Sequence, residues 1–186
     1  MGTLGRRMDR DTAILTTQNM LRELYSIHVD FDIDNIIIAG SIRRYKQEDL
    51  GDIDIILVTV NGEIHPQFSC YLRDNFDFQI DASGSKLLRG LTANGIQFDF
   101  YSCTEDQLPF MMAYLTGPQD FNIGMRSQAR KLGYKLNQFG ITDAKTGIYL
   151  NGIQSEAQLF NLLGLNFIEP RNRTNWYQNY KEYKLK

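Results

Sequence analysis

A chain of 186 residues is long enough to bury a core of its own and can hold one domain or two small ones. With 42% hydrophobic and 23% charged residues it reads as an ordinary globular protein, without an apolar run of membrane-spanning length. The N-terminus, carrying Arg6, Arg7 and Arg10 among acids, lacks the apolar centre of a signal peptide, so an intracellular protein with no membrane partner is expected.

The net charge of −2 gives no general attraction for nucleic acid, but it is unevenly spread. Residues 1–100 carry 10 basic and 15 acidic side chains, whereas residues 101–186 carry 10 and 7. An acidic half suits cations and a basic half suits phosphates. Cys70 and Cys103 have no metal-type spacing and are expected to be buried thiols in a reducing compartment. His28 and His65 are expected to be structural or exposed rather than catalytic.

In chain order, residues 9–26 predict a helix, since Ile14, Leu15, Met20, Leu21, Leu24 and Tyr25 recur at helical spacing with Asp11 in the first turn. Ile36, Ile37, Ile38 and Ala39 form a short apolar strand that runs into Gly40-Ser41-Ile42-Arg43-Arg44. Glycine allows close backbone approach to a ligand, serine offers a hydroxyl, and arginine presents a fork that matches phosphate oxygens.

After a short loop, Gly51-Asp52-Ile53-Asp54-Ile55-Ile56-Leu57-Val58 predicts a second strand, with Ile53, Ile55 and Leu57 buried on one face and Asp52 and Asp54 together on the other. Two carboxylates this close repel unless a cation lies between them. A bare Asp-x-Asp is also found at solvated strand ends, and Asp30, Asp32 and Asp34 supply such a pattern here. A phosphate-binding turn beside a carboxylate pair is the layout of metal-assisted phosphoryl or nucleotidyl transfer.

Asn61-Gly62 predicts a turn, residues 66–73 a short helix, residues 76–80 an outer strand and residues 83–86 a loop. Residues 95–101 predict another strand with Ile96, Phe98 and Phe100 on one face and Asp99 on the other. An acid between two phenylalanines needs a reason, and a third carboxylate beside Asp52 and Asp54 would be one. The alternative is an acid exposed on an edge strand.

Tyr114-Leu115-Thr116-Gly117 reads as a turn, and Pro118 starts a helix over residues 118–131 that places Asn122 and Arg126 on one face. Arg126, Arg130, Lys131 and Lys135 follow with no acid among them. A hairpin is expected from residues 134–138 and 147–150, then a helix over residues 155–163. Past Arg173, Trp176, Tyr177, Tyr180 and Tyr183 alternate with lysines; such a pattern can bind single strands, but a docked or frayed terminus is the expectation.

Gly40-Ser41 with Arg43-Arg44, then Gly51-Asp52-Ile53-Asp54, resembles the nucleotidyltransferase signature in the form used by X-family DNA polymerases. By itself that pattern marks only the superfamily, which includes tRNA-tailing enzymes, poly(A) polymerases and antibiotic nucleotidyltransferases. The order Thr116-Gly117, Phe121-Asn122, Met125-Arg126, Gly133-Tyr134 and Leu136-Asn137-Gln138-Phe139-Gly140 resembles the nucleotide-selecting subdomain of the X family, and residues 165–173 resemble its ending.

The resemblance implies an α+β fold: a palm with a mixed β-sheet flanked by helices over residues 1–103, and a small α/β nucleotide-selecting subdomain over residues 104–186. It implies two Mg2+ ions, with Mn2+ as substitute, on Asp52, Asp54 and Asp99, the last as metal ligand or general base. It places Gly40, Ser41, Arg44 and Gly51, with Arg43, on the triphosphate, and Tyr114, Leu115 and Gly117 at the sugar and primer end. Asn122 would meet the incoming base or sugar, Arg126 the template side, and Arg126, Arg130, Lys131 and Lys135 the DNA. Arg6 or Arg7 would lie near the primer terminus.

The implied activity is a monomeric, distributive, gap-filling DNA polymerase that uses primer-template or gapped DNA and dNTPs, similar to reduced polymerases of large DNA viruses. There is no room for the family's lyase and duplex-gripping domains, so an accessory DNA-binding protein is a further expected partner. The rivals are a template-independent or ribonucleotide-adding transferase and a weakly catalytic repair scaffold. Gln97, Leu115 and Gln138 depart from the family pattern, at positions often held by arginine, an aromatic and an acid.

Overall fold

The computed structural model describes residues 5–46 and 49–185. They divide into two compact units, one ending at Glu105 and the other starting at Asp106.

The first unit opens with α1 (Arg10–Ile27), capped by Asp9, whose carboxylate accepts the Thr12 N–H at 2.8 Å. Ala13, Thr17, Met20 and Leu24 recur every three or four residues and form its buried stripe. The sheet comprises β1 (Ile33–Ile38), β2 (Asp52–Thr59), β3 (Gln79–Ser83), β4 (Leu87–Leu91) and β5 (Gln97–Cys103), in the order β1-β2-β5-β4-β3. Only the central β2–β5 pair is parallel. One turn of helix, α2 (Gly40–Arg43), follows β1, and α3 (Phe68–Phe76) follows β2.

β2 departs from strict alternation: beyond Asp54 every residue to Thr59 is buried. A central strand covered on both faces reads as a continuous apolar run, and Ile55, Ile56 and Leu57 are 1% exposed or less. Its first three residues instead alternate Asp52, Ile53, Asp54, so the strand emerges from the core with two acids on its uncovered face.

Several sequence expectations shift here. Phe76 ends α3, and the outer strand is Gln79–Ser83, because Asp77 takes a left-handed conformation that breaks the run. The expected loop at residues 83–86 leads into β4, a five-residue strand held between β3 and β5 for which the Arg89-Gly90 pair left no sequence expectation. Cys103 is buried, and burial pushes its thiol up to about 12. Cys70, by contrast, is exposed on α3 with its sulfur accepting from Arg73.

The second unit contains α4 (Leu108–Thr116), α5 (Gln119–Lys131), the hairpin β6 (Tyr134–Asn137) and β7 (Gly140–Asp143), α6 (Glu156–Leu162) and α7 (Trp176–Tyr183). Tyr114 and Leu115 form the last turn of α4 rather than a loop; the chain turns one step later, at Gly117-Pro118. The hairpin's second strand is Gly140–Asp143, not residues 147–150. Asp143 Oδ1 accepts the Lys145 and Thr146 N–H groups, turning the chain so that Tyr149 meets Thr142 through a single bridge.

The aromatic terminus is docked. Trp176 and Tyr183 are about as buried as the core of the unit, and the Trp176 ring packs where a Cβ on Gly124 would stand, 2.1 Å from the nearest ring atom.

Candidate active site

Asp52 and Asp54 come from the exposed start of β2, and Asp99 from the adjacent β5. Asp54 and Asp99 are directly opposite in the parallel register. One carboxylate oxygen from each of Asp52, Asp54 and Asp99 lies within 4.8 Å of the others. The short two-residue period of β2 and the parallel alignment of β5 therefore converge three acids that are 47 positions apart in sequence, from Asp52 to Asp99.

The electrostatics show what the cluster costs. Burial, then repulsion from Asp52 and Asp99, raises the Asp54 carboxyl to about 8. Burial and the Asp99 charge likewise hold Asp52 above the usual carboxylate range. Arg44 is pulled below its ordinary value by burial, offset in part by Asp54 and Asp52. Three hard oxygen donors in mutual repulsion fit a hard divalent cation, which would be held by Asp52, Asp54 and Asp99.

The turn before β2 is built around the same carboxylates. Gly40 has φ +62°, and a Cβ there would sit 1.9 Å from Asp54 Oδ2. The Ala39 N–H donates to the Asp54 carbonyl at 2.9 Å, tying the turn to the strand. Ser41 is 9% exposed and its Oγ makes no hydrogen bond among the described residues, which leaves a buried hydroxyl available to a ligand. Gly40→Ala is expected to turn the Asp54 carboxylate away and to add roughly 1–2 kcal/mol of backbone strain. Nucleotide incorporation should fall by about a hundredfold, and single-turnover kinetics with a melting curve would check both effects.

Ser41, Arg44, Gly51 and Asp52 line one cleft of about 410 Å³ together with Arg7 and Arg89. Arg7 is anchored there by Asp49, donating to its carbonyl at 3.0 Å. In the second unit, Tyr114, Asn122 and Arg126 line a separate small cavity of about 20 Å³. Asn122 Nδ2 donates to the carbonyls of Tyr114 at 2.6 Å and Gly117 at 3.1 Å, and Arg126 Nε donates back to the Asn122 carbonyl at 3.3 Å. Leu115 is buried in α4.

Arg126 faces the small cavity, Lys131 lies over the Tyr180 ring at 5.7 Å, and Arg130 and Lys135 are exposed. Arg89 carries no mark of function in the sequence pattern, yet its guanidinium forks the Asp99 carboxylate. Only cross-strand register reveals it, because Arg89 is Asp99's direct partner on β4.

A mixed sheet that presents three carboxylates from its two central strands, next to a glycine-serine turn, defines the palm of a nucleotidyltransferase. Residues 111–174 match the family described as DNA polymerase beta thumb. The chain is 28% identical over 144 residues to the repair DNA polymerase X of African swine fever virus, covering 75% of this chain and 81% of that protein. It is 30% identical over 137 residues to the DNA polymerase/3′-5′ exonuclease PolX of Bacillus subtilis, covering 73% of this chain and 23% of that longer protein. Among solved structures, polymerase beta of Leishmania infantum, crystallised as a ternary P/T complex, superposes with a TM-score of 0.76 at 20% identity, over 92% of this chain and 78% of the other. These likenesses support an X-family DNA polymerase in a reduced form. Such polymerases use divalent metal, and Asp52, Asp54 and Asp99 form a carboxylate triad that could hold one.

Proposed function

We propose that this chain is a distributive repair polymerase of the X family that fills short gaps in DNA, adding dNTPs to a primer 3′-hydroxyl. The observation that carries the reading is the meeting of the Asp52, Asp54 and Asp99 carboxylates with the buried, unsatisfied Ser41 hydroxyl beside one open cleft.

In this reading residues 1–103 are the palm and residues 104–186 the nucleotide-selecting subdomain. Asp52 and Asp54 would hold the metal ions, and Asp99 would complete the set. Mg2+ is the expected metal and Mn2+ its substitute; bound there, such ions supply positive charge to the transferring phosphate and acidify the attacking hydroxyl. Asp99 orients the primer hydroxyl and helps take its proton.

Ser41 Oγ donates to a triphosphate oxygen, and Arg44 and Arg43 neutralise its charge, with Gly40 and Gly51 leaving room for the approach. Asn122 contacts the incoming base or sugar, while Tyr114, Leu115 and Gly117 border the sugar and primer end. Arg126 meets the template, and Arg130, Lys131 and Lys135 contribute to the backbone grip. Primer-template or gapped DNA is the partner, and the working unit is a monomer.

No helix among the described residues is long and apolar enough to cross a membrane. The African swine fever virus relatives support a place among the reduced polymerases of large DNA viruses, acting inside the host cell. An accessory DNA-binding protein is a further proposed partner.

The test is extension of a labelled primer across a one-nucleotide gap, with Mg2+ or Mn2+ and each dNTP supplied singly. Addition of the complementary nucleotide alone is expected. Indiscriminate addition would move the protein to the tailing transferases, and no addition with either metal would overturn the polymerase reading.

A further inference from the structure

Asp99 is the most enclosed acid of the triad, with its side chain 1% exposed, and protein donors already occupy its oxygens. Arg89 Nε donates to Oδ1 at 2.8 Å and Arg89 Nη2 donates to Oδ2. Gln97 Nε2 adds a second bond to Oδ1 at 3.0 Å, and the Tyr101 hydroxyl donates to Oδ2 at 3.3 Å. A carboxylate offers about four lone-pair sites, and four donors fill them. To accept a metal ion as well, Asp99 must release part of this set.

The geometry decides which donor yields. Gln97 and Tyr101 stand two residues to either side of Asp99 on β5, so the backbone of that strand holds them on the same face. Arg89 reaches across from β4, its side chain is 36% exposed, and it lines the cleft. A long side chain with water on one side can swing; two side chains rooted in the same strand as the acid have far less freedom to leave it.

Charge points the same way. Arg89 is the cation that forms an ion pair with Asp99, and residue 97, two positions before Asp99, is an uncharged glutamine. Arg89 therefore compensates the acid cluster from the neighbouring strand, and the same positive charge repels any divalent ion that approaches Asp99. Arg7 and Arg44 line the same cleft together with Asp52 and Ser41.

We propose that Arg89 is a positioning residue that acts as an internal counter-cation: its fork holds Asp99 in register in the metal-free protein and competes with divalent metal for that carboxylate, so Arg89 sets how much metal the enzyme requires. The proposal rests on Asp52, Asp54 and Asp99 being the metal-holding set. Once the fork opens, the freed guanidinium stays at the cleft wall, within reach of an anionic group of the substrate.

The test is Mn2+ binding to the full chain without nucleotide or DNA, followed by electron paramagnetic resonance or calorimetry, for the wild type, Arg89→Met, Arg89→Lys and Asp54→Asn. Removing the charge in Arg89→Met is expected to tighten Mn2+ on the order of tenfold. The metal concentration for half-maximal turnover should fall in parallel, while kcat at saturating metal also falls because Asp99 has lost its orientation. Arg89→Lys keeps the charge without the fork and is expected to bind Mn2+ within about threefold of wild type. A role confined to folding would not tighten metal binding.

Unchanged or weaker Mn2+ binding in Arg89→Met, with binding lost in Asp54→Asn, would overturn the role of Arg89 alone. Equal tightening in Arg89→Lys and Arg89→Met would overturn the counter-charge. Unchanged binding in Asp54→Asn would overturn the triad as the metal site, and the proposal with it.

Discussion

Asp54→Asn is expected to reduce nucleotide incorporation by on the order of 10³-fold and, in the same protein, to raise the stability of the metal-free form at pH 8. Both effects have one cause. The wild-type carboxyl is raised to about 8 by burial and by the charges of Asp52 and Asp99, so folding without metal disfavours the ionised form that metal binding requires.

The sign follows from proton linkage. The folded value lies above the unfolded value of 3.8, so the folded state binds more protons between pH 3.8 and about 8. The stability this group contributes is complete below the unfolded value and is lost as pH rises through the folded one. A tenfold change in proton affinity is worth about 1.4 kcal/mol, and coupling to the neighbouring acids limits what a single carboxyl shows to roughly a few kcal/mol. Metal-free wild type should therefore melt lower at pH 8 than at pH 5.5, by more than Asp54→Asn does. Added Mg2+ should raise the melting temperature of the wild type chiefly at pH 8 and leave the variant nearly unmoved. Parallel pH profiles for the two proteins would refute the account.

A second large effect is expected far from the acids. Arg173 has a fully buried side chain; its Nε donates to the Ile168 carbonyl at 3.0 Å and its Nη1 to Glu156 Oε1 at 2.6 Å. The guanidinium also lies over the rings of Phe160 at 5.0 Å and Phe167 at 5.8 Å. Arg173→Ala deprives the buried Glu156 carboxylate of this ion pair and opens a cavity beneath two aromatic rings.

The expected loss is roughly 3–5 kcal/mol in the second unit. It should be read as a lower urea midpoint for that unit and a loss of incorporation that adding metal does not restore. The double variant Arg173→Met with Glu156→Met removes both charges and should recover most of the stability, because well-packed apolar replacements of a buried pair are often neutral. A cost below about 1 kcal/mol for Arg173→Ala would show that water reaches Glu156.

That Asp52 and Asp54 share one strand face was legible in the sequence because a strand's two-residue period is a local property: Ile53 and Ile55 declare the buried side, and the acids follow. Asp99 was legible for the same reason, between Phe98 and Phe100. β4 was not, since a five-residue strand interrupted by Arg89-Gly90 shows neither a clear alternation nor an apolar run. The hairpin partner was misplaced because Gly140–Asp143 and residues 147–150 are both short and both begin with glycine, and only the Asp143 turn chooses between them. The docking of α7 rests on Trp176 filling the space above Gly124, a contact between residues 52 positions apart that composition does not reveal.

By itself the sequence determined the local placement of the groups: two acids at strand spacing, a glycine-serine turn with arginines, and a third acid that had to face something polar. Those are short-range relations, set by backbone geometry within a few residues. The tertiary structure alone decided which strands lie side by side, and thereby that Asp54, Asp99 and Arg89 stand in one row across β2, β5 and β4. Strand order is settled by packing over the whole sheet, so a cation that neutralises the site from a neighbouring strand, or an arginine buried under aromatic rings, becomes visible only once the chain has folded.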